Sequence, residues 1–583
     1  MSPVDPILVS VFARAFRSLT DEMSLSLQRT TRSPILCEAK DFVTGIYDAA
    51  GNMLEQTENL PILSFSLGPV CKYIIDYFGD DIHAGDVIFH TDVFSMGNQN
   101  NDVAVFKPIF FAGRLVAWSA CKGHQADIGG AVAGGYNPGA VEVWQEALRI
   151  PPVKVYEKGK LRKDVWDLIF ANIRFDIVQQ DMRAEIGSCV VGERRMVSLL
   201  EKYGLECLTA HKEALFASTR RMMEAEIASI PSGTYHGESV VYYDGKNVGK
   251  RYVIRVKVIV EDRRVTFDYS GTDGQSDAFV NGTFTSSASA ATLTFLQMVN
   301  PDMPHNQGMI EPLRFIIPEG TLLNAAYPAA TTYGNHLCPC NADAITRALA
   351  PVAPERVTAG WNHLLCSLTT GRDPRHDDAY VDICFMGLKG GSGAVRGVDG
   401  YDHIGMIDAA GGLLDQDYEM FEQQTPHLLL QHEYLCDSAG PGQWRGGAGV
   451  ETRFRVGGDD TQLVIFGDGD VEPAFGLHGG KAASLNAISL RFPDGTQRVP
   501  RCLDLITGVP KGTFYRQLAG GGGGYGHPFD RLAPLVAREV RDGIISIEAA
   551  REHYGVVVDP ATFEVDETAT SDRRNKGPRS EDG

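Results

Sequence analysis

Several catalytic and binding signatures are missing from this chain. Gly-Lys pairs, as in DGKN, VGKR and GGKAA, are followed by the wrong residue for a GxxxxGK[ST] phosphate loop. There is no GxSxG nucleophile elbow and no HExxH zinc helix. Basic charge is scarce: 54 Lys and Arg face 74 Asp and Glu, a formal charge of −20, which argues against a nucleic-acid partner because phosphates are bound by clustered cations. Eleven cysteines are scattered, and the close pair Cys338-Pro-Cys340 has the spacing of neither a zinc knuckle nor a dithiol redox motif, so reduced thiols are expected. Apolar runs stop well short of the ~20 residues that span a bilayer, and the N-terminus has no basic leader. A cytoplasmic chain with no membrane association is the expectation. No repeat with a period of roughly 20–50 residues is visible, which argues against solenoids and propellers.

What is present reads as an ordinary globular balance, 43% hydrophobic and 22% charged over 583 residues. The fold class expected is multi-domain α+β, with mixed and antiparallel sheets, long helices and a Gly-rich β region towards the C-terminus. Apolar residues from Ile7 to Leu27 recur mainly at helical spacing behind Pro3 and Asp5, so residues 1–162 open on a long amphipathic helix. Residues 163–232 are breaker-poor and read as a long helical region. Near residue 232 the pattern turns to period two in ESVVYYD, RYVIRVKVIVED and RRVTFDYSG, opening an α+β domain over 233–389 that holds a small-residue helix from Ser286. Residues 390–565 form a Gly-rich β domain with closing helices, and the charged, apolar-poor 566–583 is expected to be a disordered tail. The run Gly520 to Gly524 has no Lys-Ser/Thr after it and is a poor phosphate site; any nucleotide would sit on a partner subunit.

One stretch concentrates the polar chemistry. Val103–Phe111 and Leu115–Cys121 read as a hairpin turning at Ala-Gly-Arg, with Pro108 interrupting the first run. A hairpin returns its ends to one place, so NQNND before it and GHQAD after it should gather Asp92, Gln99, Asp102, His124 and Asp127. His124 and Asp127, with a carboxylate or amide from the other end, could give three N/O ligands and leave positions open, the layout of a catalytic metal site. Asp41, with Glu38 and Lys40 before a strand, could serve as a general base or hold a substrate atom. GGAVAGGYNPGA then supplies either a ligand-hugging loop or a surface linker. His336, His403, His432 and His478 stand alone, and each is expected to be a loop or core histidine.

RTTRSPILCEAKDF, DVAVFKPIFFAGRLVAW, GHQADIGGAVAGG, LRIPPVK, FDYSGT, GPGQWRGGAG, FGLHGGK, GGGGYGHPFDR and SIEAAREHYGVV occur in this order along almost the whole chain. In these stretches the chain resembles the hydantoinase B, or 5-oxoprolinase B-half, family, which includes large subunits of acetone and acetophenone carboxylases and of a caprolactamase. The resemblance implies one subunit of a heteromeric ATP-dependent enzyme. A hydantoinase A-type partner would hold ATP and Mg, a small third subunit could be present, and this chain would complete the reaction on a small molecule at a divalent metal, Zn or Mn. It places the family's metal residues on His124, Asp127 and Asp102 and its acidic element on Glu38 and Asp41. Two departures stand out: Gln99 occupies the position of a frequent histidine, and NLPIL from Asn59 replaces HIPVH. Gln99 offers only a neutral oxygen, so the metal would be weaker, different or absent. The form GHQADIGG favours ketone carboxylation. The alternatives are hydrolysis of a cyclic amide and a non-catalytic structural paralogue.

Overall fold

The computed structural model describes residues 4–57 and 59–576. Two compact units form, Met1–Ala348 with Asp408–Leu414, and Leu349–Ile407 with Asp415–Gly583. Segments 1–162 and 163–232 therefore lie in the first unit and 390–565 mostly in the second, while a seven-residue excursion returns to the first. The α+β class holds, with long helices and four antiparallel or mixed sheets.

The first unit is built on a seven-stranded sheet. Its strands are β1 (Phe42–Asp48), β2 (Met53–Gln56), β3 (Val87–His90), β4 (Asp102–Phe111), β5 (Arg114–His124), β6 (Val153–Glu157) and β7 (Lys160–Leu161), in the order β2-β1-β5-β4-β3-β6-β7. Helix Pro6–Thr30 starts on the Asp5 cap, whose carboxylate accepts from Ile7 N, with proline at the first turn. Its Phe12, Phe16, Leu19 and Met23 pack with Met196 and Leu200 of helix Asp176–Tyr203 and with Ile46, Ile109 and Ala117 of the sheet. By strand alternation Tyr47 points the other way, against Gly68 of helix Pro61–Phe78. Both faces of the central strands are thus covered, and β1 is buried along its whole length.

β4 and β5 are the expected hairpin, turning on Ala112 and Gly113, both left-handed (φ 50° and 77°). Pro108 does not break β4; it pairs with Trp118 inside the ladder, and an irregularity follows between Ile109 and Phe110. A second sheet of the unit, β8 (Gly233–Val241), β9 (Tyr252–Glu261), β10 (Arg264–Asp268) and β11 (Leu313–Ile316), runs β11-β10-β9-β8. The small-residue helix, Phe284–Val299, starts on a Thr283 to Ser286 capping box and sets Phe295 edge-on against Phe267 of β10.

The second unit holds β12 (Leu365–Asp373), β13 (Asp378–Ile383), β14 (Leu428–Tyr434), β15 (Val450–Arg455), β16 (Asp459–Gly467), β17 (Ala487–Arg491), β18 (Gln497–Arg498), β19 (Asp504–Val509) and β20 (Phe514–Ala519), in sheets β13-β12-β16-β19 and β14-β15-β20-β17-β18. Its glycine density comes from backbone crossings. Gly522 N, Gly523 N and Gly524 N donate to the carbonyls of Gly447, Gly360 and Lys481, so these amides are committed to the fold and are not offered to a phosphate. A Cβ on Gly523 would stand 1.8 Å from Phe475 O. Gly523→Ala is therefore expected to cost at least about 1–3 kcal/mol, the range for overpacking a close-packed interior, seen as a clear fall in melting temperature.

Residues Glu567–Lys576, expected to be part of a disordered tail, form a helix. Polar contacts dock it where apolar ones are lacking: Thr570 Oγ1 accepts from Val557 N, and Arg574 donates to the carbonyls of Tyr554 and Arg531. Residues 577–583 lie outside the described residues.

Candidate active site

Three neighbouring strand ends of the seven-stranded sheet bring Asp41, His124 and Asp102 together. Asp102 opens β4 directly opposite His124 at the end of β5, and Asp41 precedes β1, where its carbonyl accepts from His124 N at 3.0 Å. Lys40, left-handed at φ 60°, turns the chain into that position. His124 Nδ1 lies 3.0 Å from Asp102 Oδ1 and 4.0 Å from Asp41 Oδ2.

The polar run before the hairpin is almost wholly buried and serves this cluster. Asn98 Nδ2 and Asn335 Nδ2 donate to Asp102 Oδ2 at 2.7 and 3.0 Å. The buried ammonium of Lys122 donates to Asn98 Oδ1 and to Ser66 Oγ. Gln99 Nε2 donates to Tyr136 Oη at 2.7 Å; Tyr136 stacks on His124 and meets His336 Nε2 at 3.0 Å. Tyr136 belongs to the Gly-rich loop, which is thereby a wall of the site and not a surface linker.

Burial pushes Asp41 up to about 7, opposed by the charge of His124 and reinforced by Asp102. For His124 burial acts downward, but the Asp102 hydrogen bond and the two carboxylate charges outweigh it and hold the imidazole above its usual range. Burial brings Lys122 down to about 8, against the pull of Asp102, and takes His336 down to about 3 with help from His124.

The other expected site residues are placed differently. Asp127 is not brought into this group, because its carboxylate is engaged elsewhere: it accepts from Gly134 N and Arg174 N and pairs with Arg174 Nη1 at 3.0 Å, which pins the Gly-rich loop. Asp92 accepts from Phe94 N and pairs with Arg149. Glu38 ends the short helix Pro34–Cys37, half-buried and three residues before Asp41. Asn59 Nδ2 donates to Ser24 Oγ. Asp127→Asn, which removes the Arg174 ion pair and keeps the side-chain volume, is expected to raise KM severalfold through a looser loop while metal content, measured by elemental analysis, stays unchanged.

Sequence reading missed four members of the neighbourhood. His336 comes from a 3-10 turn more than two hundred residues away, Tyr136 from a loop, and Lys122 from the strand Arg114–His124, just past the run Leu115–Cys121 that the sequence marked. Asp408, in the excursion that returns to this unit, is buried and raised to about 7 by that burial and by the charge of Asp41. No spacing in the sequence links it to the hairpin.

Two buried atoms of the cluster, Asp41 Oδ1 and His124 Nε2, have no hydrogen-bond partner among the described residues. Orphaned polar atoms of this kind are costly in a dry interior unless something binds them. The N/O donor set fits a borderline or hard divalent ion.

A buried cluster of carboxylates and imidazoles thus lies at the ends of neighbouring strands, walled by a glycine-rich loop, in a chain that comparison with known proteins makes an enzyme component. The chain belongs to the hydantoinase B/oxoprolinase family, which it matches over residues 5–528. It is 35% identical to the beta chain of the caprolactamase of Pseudomonas jessenii, over 98% of this chain and 100% of that one. It is 29% identical to the B component of a putative D-/L-hydantoinase of Pseudomonas sp. (strain NS671), over 98% of both chains. Among solved structures, the ATP-dependent caprolactamase from Pseudomonas jessenii superposes with a TM-score of 0.92 at 32% identity, covering 98% of this chain and 100% of that one. A nucleotide-free acetone carboxylase structure gives 0.89 at 22% identity, covering 98% and 82%, a likeness of fold. Among the described residues no helix is long and apolar enough to cross a membrane.

Proposed function

We propose that this chain is the B-type component of a heteromeric ATP-dependent enzyme that opens a cyclic amide, a lactam or hydantoin, by water attack. The observation that carries the reading is the cluster at the strand ends, where His124 and Asp41 each keep an unpaired atom beside the anchored Asp102. Its support in kinship is that two relatives matched along almost their full length are named for cyclic-amide chemistry. An A-type partner would hold ATP and Mg and activate the amide oxygen by phosphorylation.

The chain's own residues then have distinct tasks. Asn98 and Asn335 fix the Asp102 carboxylate, and Asp102 fixes the ring of His124. His124, Asp102 and the Gln99 oxygen would hold a divalent metal, Zn or Mn; when bound it supplies Lewis-acid polarisation and a more acidic water. Gln99 joins only through its oxygen, since its nitrogen is committed to Tyr136. Asp41 takes the proton of the attacking water and delivers it to the departing nitrogen as the carbon–nitrogen bond breaks, and a second water then hydrolyses the acyl phosphate left behind to carboxylate and inorganic phosphate. Tyr136 packs on the ring of His124 and His336 on Tyr136, and the two exclude bulk water from it.

Ketone carboxylation is the second reading, favoured by GHQADIGG. The reconstituted complex, given ATP with a panel of lactams and hydantoins and, separately, ketones with labelled bicarbonate, decides between them. Ring-opened product with phosphate release is expected; label in a new carbon–carbon bond without amide opening would replace the hydrolase by a carboxylase.

A further inference from the structure

A second group of ligating atoms lies wholly inside the other unit. His403, Asp415 and His432 come from three separate segments, and one ligand atom of each lies within 4.8 Å of the others. His403 Nε2 stands 3.0 Å and His432 Nε2 3.9 Å from Asp415 Oδ2, and the two rings meet edge to face at 4.8 Å. Among the described residues His432 Nε2 has no hydrogen-bond partner, and the His432 side chain is only 4% exposed. An unpartnered, nearly dry imidazole nitrogen aimed at a carboxylate is costly unless a ligand completes it.

The supporting contacts prepare the imidazoles to ligate. His432 sits on β14 opposite Thr452 of β15, and its Nδ1 lies 2.9 Å from Thr452 Oγ1. That hydroxyl donates to Met386 O, so it accepts from Nδ1–H, and the lone pair of His432 is left on Nε2. His403 is held left-handed at φ 45°, with its amide on Ala448 O, which fixes the approach of its ring.

We propose that His403, His432 and Asp415 form a second divalent-metal site, a two-histidine, one-carboxylate set for a first-row ion such as Zn(II), Mn(II) or Fe(II), with positions left for water or an exogenous ligand. His403 and Asp415 are each about one-fifth exposed, 20% and 22%, so an ion can enter from solvent. Three protein ligands leave coordination positions free, which is the arrangement of reactive rather than structural sites. Lys389 Nζ, 3.2 Å from Asp415 Oδ1, is the opposing charge. It pairs with the other carboxylate oxygen, so Oδ2 stays turned to the imidazoles, but its repulsion of a dication makes this a weaker site than an unopposed one.

The full-length chain, stripped with chelator and titrated with Co(II), tests this by elemental stoichiometry and visible absorption. His403→Ala with His432→Ala is expected to remove one equivalent relative to the wild type, and His124→Ala to leave that equivalent in place. The loss is therefore read independently of whether the strand-end cluster binds metal. Equal stoichiometry in wild type and the double variant overturns the proposal. If the double variant fails to fold, Asp415→Asn serves in its place, with the same two outcomes. Two further variants separate metal binding from a mere water bridge: Thr452→Val is expected to weaken Co(II) by about 10- to 100-fold, the usual effect of losing an orienting partner. Lys389→Met, which removes the competing cation, is expected to tighten it severalfold; unchanged or weaker binding in Lys389→Met overturns the assignment.

Discussion

Replacing His124 by alanine is expected to lower turnover of the assembled enzyme by about 10²- to 10⁴-fold, since it removes a residue that would hold the metal and leaves Asp41, an acid–base group of about that worth, without the partner beside it, with folding and assembly retained. The ring is the meeting point of the cluster: Nδ1 faces Asp102, the backbone amide is held by Asp41, and one face stacks on Tyr136. Alanine keeps the backbone bond to Asp41, so the strand ends stay in register. It removes the imidazole whose charge, with no metal bound, pulls the Asp41 carboxyl down against burial, and with it the nitrogen that would ligate a metal in its place. The measurement is amide opening by the reconstituted complex, with metal analysis and a melting curve on the same preparation. Near-wild-type turnover in a folded variant would transfer the chain to the structural-paralogue reading.

The pattern that made this residue visible in sequence is strand geometry. Period-two alternation and a turn signal placed the two hairpin ends side by side, and Asp102 does stand opposite His124. The same reasoning failed for Asp127, three residues on, because the chain leaves the strand at His124 and the next turns follow loop geometry, where Arg174 and backbone amides capture the carboxylate. His336, Asp408 and Tyr136 reach the site along paths with no periodicity. For similar reasons His403 and His432 looked solitary: 29 residues and a change of segment separate them, and only the pairing of β14 with β15 orients the second ring. The glycine runs were legible as a β domain, but the reason for the glycines, carbonyls crossing where a Cβ would stand, lies in the tertiary packing.

Asp102→Asn is expected to damage stability and activity together, and this separates it from the histidine variant. The carboxylate accepts from two amide nitrogens on Oδ2 and from the imidazole on Oδ1, so each of these contacts on it is a donor. An asparagine NH2 in either orientation would point a donor at a donor. It would also remove the negative charge that supports the Lys122 ammonium, which burial already brings down to about 8. Breaking a buried charge pair on one side costs about 3–5 kcal/mol, and the loss of His124 orientation should lower kcat by a factor of the size expected for His124→Ala. Because the penalty includes a stranded ammonium, adding Lys122→Met to Asp102→Asn should recover part of the melting temperature and none of the turnover. A double variant no more stable than Asp102→Asn alone would show that the two charges are not coupled through Asn98, and would remove Lys122 from the site's electrostatics.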